Sequence, residues 1–125
     1  MTTLPIILVV DRNEDSLKYL REELPITDYI LLHAKDEREA LSIVDRKASR
    51  IAFAVIELEL PGMNGFNLIG RLTGQQPKPK KIVATTYLED DVLFELAKHM
   101  GADTIVRKPR SEEGMNWDAL NCLVA

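Results

Sequence analysis

Residues 51–65 read IAFAVIELELPGMNG. The run from Ile51 to Leu58 is apolar at successive positions, broken only by Glu57, and Pro61, Gly62, Asn64 and Gly65 behind it have turn chemistry. Continuous rather than alternating apolarity predicts a strand covered on both faces, as in a parallel sheet. A carboxylate at the last turn of such a strand needs a partner, because burying an unpaired charge is expensive.

Two patterns alternate outward from this stretch. LPIILVV, residues 4–10, is a solid apolar run ending at Asp11. EDSLKYLREELP then places Leu17, Leu20 and Leu24 at helical spacing, with Asn13 or Asp15 able to cap the start and Pro25 beyond the end. YILLHA, residues 29–34, is a second strand. Asp36 and Glu39 open the next helix like a capping box, with Ala40, Leu41 and Val44 inward. Behind the third strand, GFNLIGRL predicts a short helix carrying Phe66, Ile69 and Leu72. KKIVATT is a fourth strand and DDVLFELAKHMG a helix with Leu93, Ala97 and Met100 inward and Gly101 past its end. DTIVR is a fifth strand, and Trp117, Leu120 and Val124 share one face of a last helix. Five strands alternating with five helices predict an α/β fold with a doubly wound five-stranded parallel sheet.

At 125 residues the chain is one domain, large enough to bury a core without disulfides. Its 46% hydrophobic and 29% charged residues are ordinary for a globular chain. A net charge of −4 and the lack of a long basic tract argue against direct nucleic-acid binding. The one cysteine, Cys122, excludes an internal disulfide framework and fits a reducing, cytoplasmic compartment. The apolar runs are too short to span a bilayer, and the opening MTTLP lacks a charged segment and a cleavage site. Neither membrane association nor a signal peptide is expected. GQQPKPKK, residues 74–81, reads as a polar loop with solvated lysines. The closing NWDALNCLVA is a short amphipathic stretch, compatible with residues 1–125 being the N-terminal domain of a longer chain.

In an open α/β sheet, function gathers at the carboxyl ends of the strands. Those ends carry Asp11 and Arg12, Glu57, Thr85 and Thr86, and Lys108 and Pro109. Carboxylates, cations and hydroxyls from several strand ends therefore converge on one crevice.

In order and spacing these residues resemble the receiver domain of two-component response regulators. The resemblance is carried by ILVVDR, VIELELPGMNG, the strand end at Thr86, GAD at 101–103 and KP at 108–109, and it covers essentially the whole chain. It implies a flavodoxin-like (βα)5 three-layer sandwich. It also implies a histidine kinase that donates a phosphoryl group to an aspartate at the end of the third strand. A magnesium ion would be held there by the acceptor and an acidic pair, and a lysine and a hydroxyl residue would grip the phosphoryl oxygens.

The family pattern carries over in part. Asp11 matches the first acid of the pair, Thr86 the hydroxyl residue and Lys108 the lysine; Pro109 resembles the family's cis-proline. Arg12 stands where the second acid belongs, Glu57 where the acceptor aspartate belongs, and Ile105 where an aromatic is frequent. Magnesium demands oxygen ligands in strict octahedral geometry, so Arg12 removes a ligand and repels the ion. Glu57 is one methylene longer than aspartate, which shifts its oxygens by roughly an ångström. In-line phosphoryl transfer tolerates such shifts poorly. Little or no phosphorylation and weak or absent magnesium binding are expected, with Asp11 and Glu59 the remaining, weak metal candidates. Glu57 should instead pair with Arg12, Lys108 or both, arginine by its planar fork. Those cations follow the first and fifth strands, which in the family's strand order flank the third or lie next to it at the same edge. The pairing would be either a mimic of the phosphorylated pocket or a decayed site.

Outside the crevice, Glu59 should be solvated, and His33 and His99 solvated or packed, since neither has metal-ligand spacing. The face carrying Phe94, Lys98, Ile105, Arg107 and Asp118 is the expected contact surface, with Phe94 either exposed on it or packed under the loop after Thr86. The reading is a signalling domain that acts through protein contacts, with a histidine kinase, an effector domain or a second copy as partner, and no catalysis of its own. The alternatives are a small flavodoxin-like hydrolase with Asp11 as nucleophile and a nucleotide-binding module. Both are weakened, the first by the missing second acid and the second by a first turn, DRNEDS, without phosphate-cradling glycines.

Overall fold

The structure, a computed structural model, describes residues 4–23, 28–60 and 64–108. Five strands and four helices alternate among them: β1 (Ile6–Val10), α1 (Asp15–Glu23), β2 (Ile30–Ala34), α2 (Glu37–Lys47), β3 (Ile51–Glu57), α3 (Asn64–Thr73), β4 (Lys81–Thr86), α4 (Asp91–Met100) and β5 (Thr104–Arg107). A single turn of 3₁₀ helix, Ala48–Arg50, leads into β3. The last helix expected around Trp117, with Cys122, lies outside the described residues.

All pairings are parallel, in the order β2-β1-β3-β4-β5. Side chains that alternate along the strands feed two separate cores. Leu8, Val10, Ala54, Ile56, Ile82 and Ala84 face α2, α3 and α4, meeting Ala40, Val44, Leu68, Ile69, Leu72 and Ala97. Ile7, Val9, Phe53, Val55, Val83 and Val106 face Leu17 and Leu20 of α1. A strand filled on both faces has no position free for a solvent-facing polar residue, which explains the unbroken apolar runs.

Local chemistry sets the helix ends. Asp36 caps α2 by accepting from the Glu39 amide, and Glu39 returns to the Lys35 amide, so the expected capping box forms one residue wider than usual. Asp90 caps α4 by accepting from the Val92 and Leu93 amides. Gly101 ends α4 at φ 127°, where a Cβ would also collide with Thr73. At Gly65 the constraint is contact rather than dihedral: a Cβ there would lie 2.2 Å from the Glu57 carbonyl oxygen. The first turn of α3 therefore lies directly on the end of β3, and this pins the backbone around Glu57.

No described helix is long and apolar enough to cross a membrane.

Candidate functional site

The crevice forms where β1, β3, β4 and β5 end together. Glu57 is the last residue of β3, in register with Thr85, and the Leu58 amide donates to the Thr85 carbonyl at 2.8 Å. Asp11 follows β1, tied to β2 by the hydrogen bond its amide donates to the Ala34 carbonyl at 3.0 Å. Lys108 follows β5 and is anchored by its amide to the Thr86 carbonyl at 2.6 Å. β5 is not adjacent to β3: β4 lies between them, so the lysine side chain reaches across a strand.

Asp11, Glu57 and Lys108 have almost no contact with solvent, while the Arg12 side chain is about half exposed, at 49%. Glu57 is held from two sides. Its Oε2 accepts from the Arg12 backbone amide at 2.9 Å, and its Oε1 meets Arg12 Nε at 3.1 Å. Lys108 Nζ stands 3.5 Å from the same Oε1. Asp11 is equally occupied. Oδ1 accepts from the Asn13 amide at 3.1 Å, and Oδ2 from Ser16 Oγ at 2.7 Å, with Lys108 Nζ 2.5 Å away. Lys108 thus bridges the two carboxylates, closer to Asp11, by charge rather than by aligned hydrogen bonds. Its ammonium also lies 4.7 Å from the centre of the Tyr87 ring, within cation–π range.

Burial pushes the Glu57 carboxyl above its ordinary pKa. The hydrogen bond from the Arg12 amide and the charge of Lys108 pull it back, and neighbouring Asp11 adds to the rise.

The expected contacts of Glu57 with both cations are present, with two differences. The arginine fork is not used: only Nε reaches the carboxylate, because the second oxygen is already taken by the backbone of the same residue. Lys108 is nearer Asp11 than Glu57. A third carboxylate corrects the sequence reading. Glu59 is not solvated but half-buried, and its Oε1 accepts from Thr86 Oγ1 at 2.7 Å and from the Tyr87 amide at 2.6 Å. Thr86 Oγ1 accepts in turn from the Leu88 amide at 3.1 Å. A glutamate two residues beyond β3 can reach the end of neighbouring β4, and the sequence signal was the pairing of a carboxylate with a hydroxyl at adjacent strand ends.

Ser16 and Tyr87 escaped the sequence reading, and Asn13, expected as a possible helix cap, donates its amide to Asp11. Ser16 had a signal, a polar residue four before the buried Leu20 and therefore on the inward face of α1. His33 is not merely packed: its Nε2 lies 2.8 Å from the Asp11 carbonyl oxygen. Pro109 and Asp118 lie outside the described residues. On the expected contact face, Lys98 is exposed, Ile105 half-buried against the core, and Arg107 exposed and paired with Glu89 at 3.2 Å. Phe94 is half-buried; the aliphatic side chains that α4 exposes are Val92 and Leu96.

The donor set does not fit a divalent cation. Magnesium takes about six oxygens at ~2.0–2.1 Å. Here an ammonium already touches Asp11, a guanidinium Glu57, and Thr86 and the Tyr87 amide Glu59. No cluster of three or more metal-ligating side chains exists among the described residues.

A family model for the response regulator receiver domain matches residues 7–116. Response regulator GtcR of Aneurinibacillus migulanus is 27% identical over 82% of this chain and 41% of its own length. Sporulation initiation phosphotransferase F of Bacillus subtilis is 29% identical over 82% of this chain and 81% of its own. The chain thus spans less than half of the first of these relatives and most of the second. A response regulator structure from Thermotoga maritima superposes with a TM-score of 0.78, covering 98% of this chain and 95% of that one at 23% identity, which supports the fold. With the parallel 2-1-3-4-5 sheet and a model match over most of its length, the chain belongs to the response regulator receiver domain family.

Proposed function

We propose that this receiver domain signals without phosphoryl transfer, through a crevice whose charges are already neutralised by its own side chains. The observation that supports the reading is occupancy. Among the described residues the two cations of the crevice and the Thr86 end of β4 lie against carboxylates of the chain: Lys108 near Asp11 and Glu57, Arg12 on Glu57, Thr86 and the Tyr87 amide on Glu59. By the family resemblance, Lys108 and Thr86 are the groups that would grip a phosphoryl oxygen. An incoming phosphate would have to displace internal partners, and it would do so without a metal to offset its roughly −1.5 to −2 charge.

Receiver domains work with histidine kinases and effector domains. For this chain the reading favours contact with a protein partner through a surface fixed by that internal network, without catalysis and without magnesium. The described part of the expected face, with Lys98, Arg107 and the apolar Val92 and Leu96, offers such a surface. Location in the cytoplasm accords with the lone cysteine.

The test is incubation with acetyl phosphate and magnesium, followed by intact-mass measurement. The parent should gain no phosphoryl mass, and magnesium should leave thermal stability unchanged. Arg12→Asp combined with Glu57→Asp should bring back both magnesium stabilisation and labelling. A stable phosphoryl adduct at Glu57 in the parent would sink the reading.

A further inference from the structure

At the opposite end of the sheet, where the strands begin, a cavity of about 490 Å³ is lined by Leu4, Pro5, the 3₁₀ turn with Ser49 and Arg50, the start of β3 at Ile51 and Ala52, and the loop residues Pro77, Lys78 and Lys80. Its charge pattern departs from that of the molecule. The chain carries 20 acids against 16 lysines and arginines, yet this wall holds Arg50, Lys78 and Lys80 and no acid. Lys78 and Lys80 are exposed, and among the described residues neither forms an ion pair.

Arg50 supplies an independent observation. Its Nη2 donates to the Leu4 carbonyl at 3.4 Å, which holds the guanidinium along the cavity wall. Its Nε is buried and has no acceptor among the described residues. The Nε is closed off from the cavity, so an anion bound there would meet the other N–H groups of the guanidinium on the wall. The remaining wall is apolar, from Leu4, Pro5, Ile51, Ala52 and Pro77. The volume is within the usual range for small-molecule sites.

We propose that this cavity binds a small phosphate-bearing molecule of the nucleotide class. Arg50, Lys78 and Lys80 would hold the phosphates and the proline-rich wall the apolar ring. The site is remote from the crevice and does not depend on the reading of the crevice. Lysines placed in a polar loop by sequence thereby acquire a shared target with an arginine from a separate segment.

The experiment is a titration of the protein with ADP at low salt, followed by amide chemical shifts of residues 48–52. Pyrophosphate and adenosine serve as separate probes. Saturable shifts with ADP, weaker with either fragment, are expected. Lys78→Ala with Lys80→Ala should weaken binding by about tenfold or more, the loss of one or two charge-assisted contacts, and leave the fold intact because both side chains are exposed. Arg50→Gln should weaken it similarly. No saturable shift up to about 10 mM, far into the weak range, would overturn the proposal. So would pyrophosphate binding as tightly as ADP, or binding that survives the lysine double variant and is lost on replacing Lys108.

Discussion

Arg12→Ala removes the Nε contact of 3.1 Å to a carboxylate with no solvent exposure, while the backbone amide at position 12 still donates to Oε2. Lys108 also remains, 3.5 Å from Oε1. Breaking a fully buried pair costs about 3–5 kcal/mol, and breaking an exposed one about 0–1. The Arg12 side chain is 49% exposed, so solvent already screens its end of the pair. With two partners surviving, the loss should be about 1–2 kcal/mol. For a domain of this size that lowers Tm by roughly 3–10 °C.

The pH dependence follows from the same geometry. Burial raises the folded-state pKa of Glu57, so the folded protein binds more protons than the unfolded chain between the unfolded and folded values. The contribution of Glu57 to stability is therefore lost as pH rises through that window. Removing a cation raises the folded value further, and Arg12→Ala should cost less at pH near 5 than near 8. Urea denaturation followed by far-UV circular dichroism measures this without adding salt. Glu57→Gln in the Arg12→Ala background should recover part of the loss, with a coupling of roughly 0.5–1.5 kcal/mol. Additivity within about 0.3 kcal/mol, or an equal cost at both pH values, would refute an ion pair between these residues.

Three further outcomes test other contacts. Glu59→Ala strips the acceptor from Thr86 Oγ1 and the Tyr87 amide, so amide exchange at Tyr87 and Leu88 should quicken by about tenfold or more and stability fall by about 1–2 kcal/mol; unchanged exchange would show that the turn holds itself. Gly65→Ala forces a Cβ to 2.2 Å from the Glu57 carbonyl and 2.7 Å from the Leu58 Cα, and should cost about 1–3 kcal/mol or more by urea denaturation; a neutral result would mean that α3 can slide away from β3. Val92→Asp, at a side chain 72% exposed, should change stability by less than about 0.5 kcal/mol; a larger loss in a monomeric sample would mean that this face of α4 is covered.

The sheet was legible because β1, β3 and most of β4 are apolar on both faces, and Asp36 and Gly101 mark helix ends by local chemistry. The convergence of Asp11, Glu57, Thr86 and Lys108 was legible because strand ends in a parallel sheet meet on one edge. The fine pairing was not. Which oxygen of Glu57 meets a side chain and which a backbone amide depends on the turn after β1. Whether Lys108 sits nearer Asp11 or Glu57 depends on the width of β4 between them. Glu59 was misread because general exposure statistics describe an acid beyond a strand, while this one has a hydroxyl and a backbone amide within reach at the neighbouring strand end. Phe94 was ambiguous because one helical step separates an inward from an outward position.

The departures at positions 12 and 57 belong together physically. With Glu57 alone, two buried carboxylates would share one lysine, a net negative site in a low-dielectric crevice where desolvation already disfavours the charge. With Arg12 alone the charges would still balance, but a shorter acid would have to reach both the Arg12 amide and its guanidinium. Together Asp11, Glu57, Arg12 and Lys108 sum to zero, and the longer glutamate side chain is what lets both oxygens be used at once, one by the Arg12 amide and one by its guanidinium. A site that had merely lost selection would be expected to leave its lysine or its hydroxyl free. Here Lys108, Thr86 and the Tyr87 amide each lie against an acid, which is the pattern the proposed self-neutralised crevice requires and a decayed one does not.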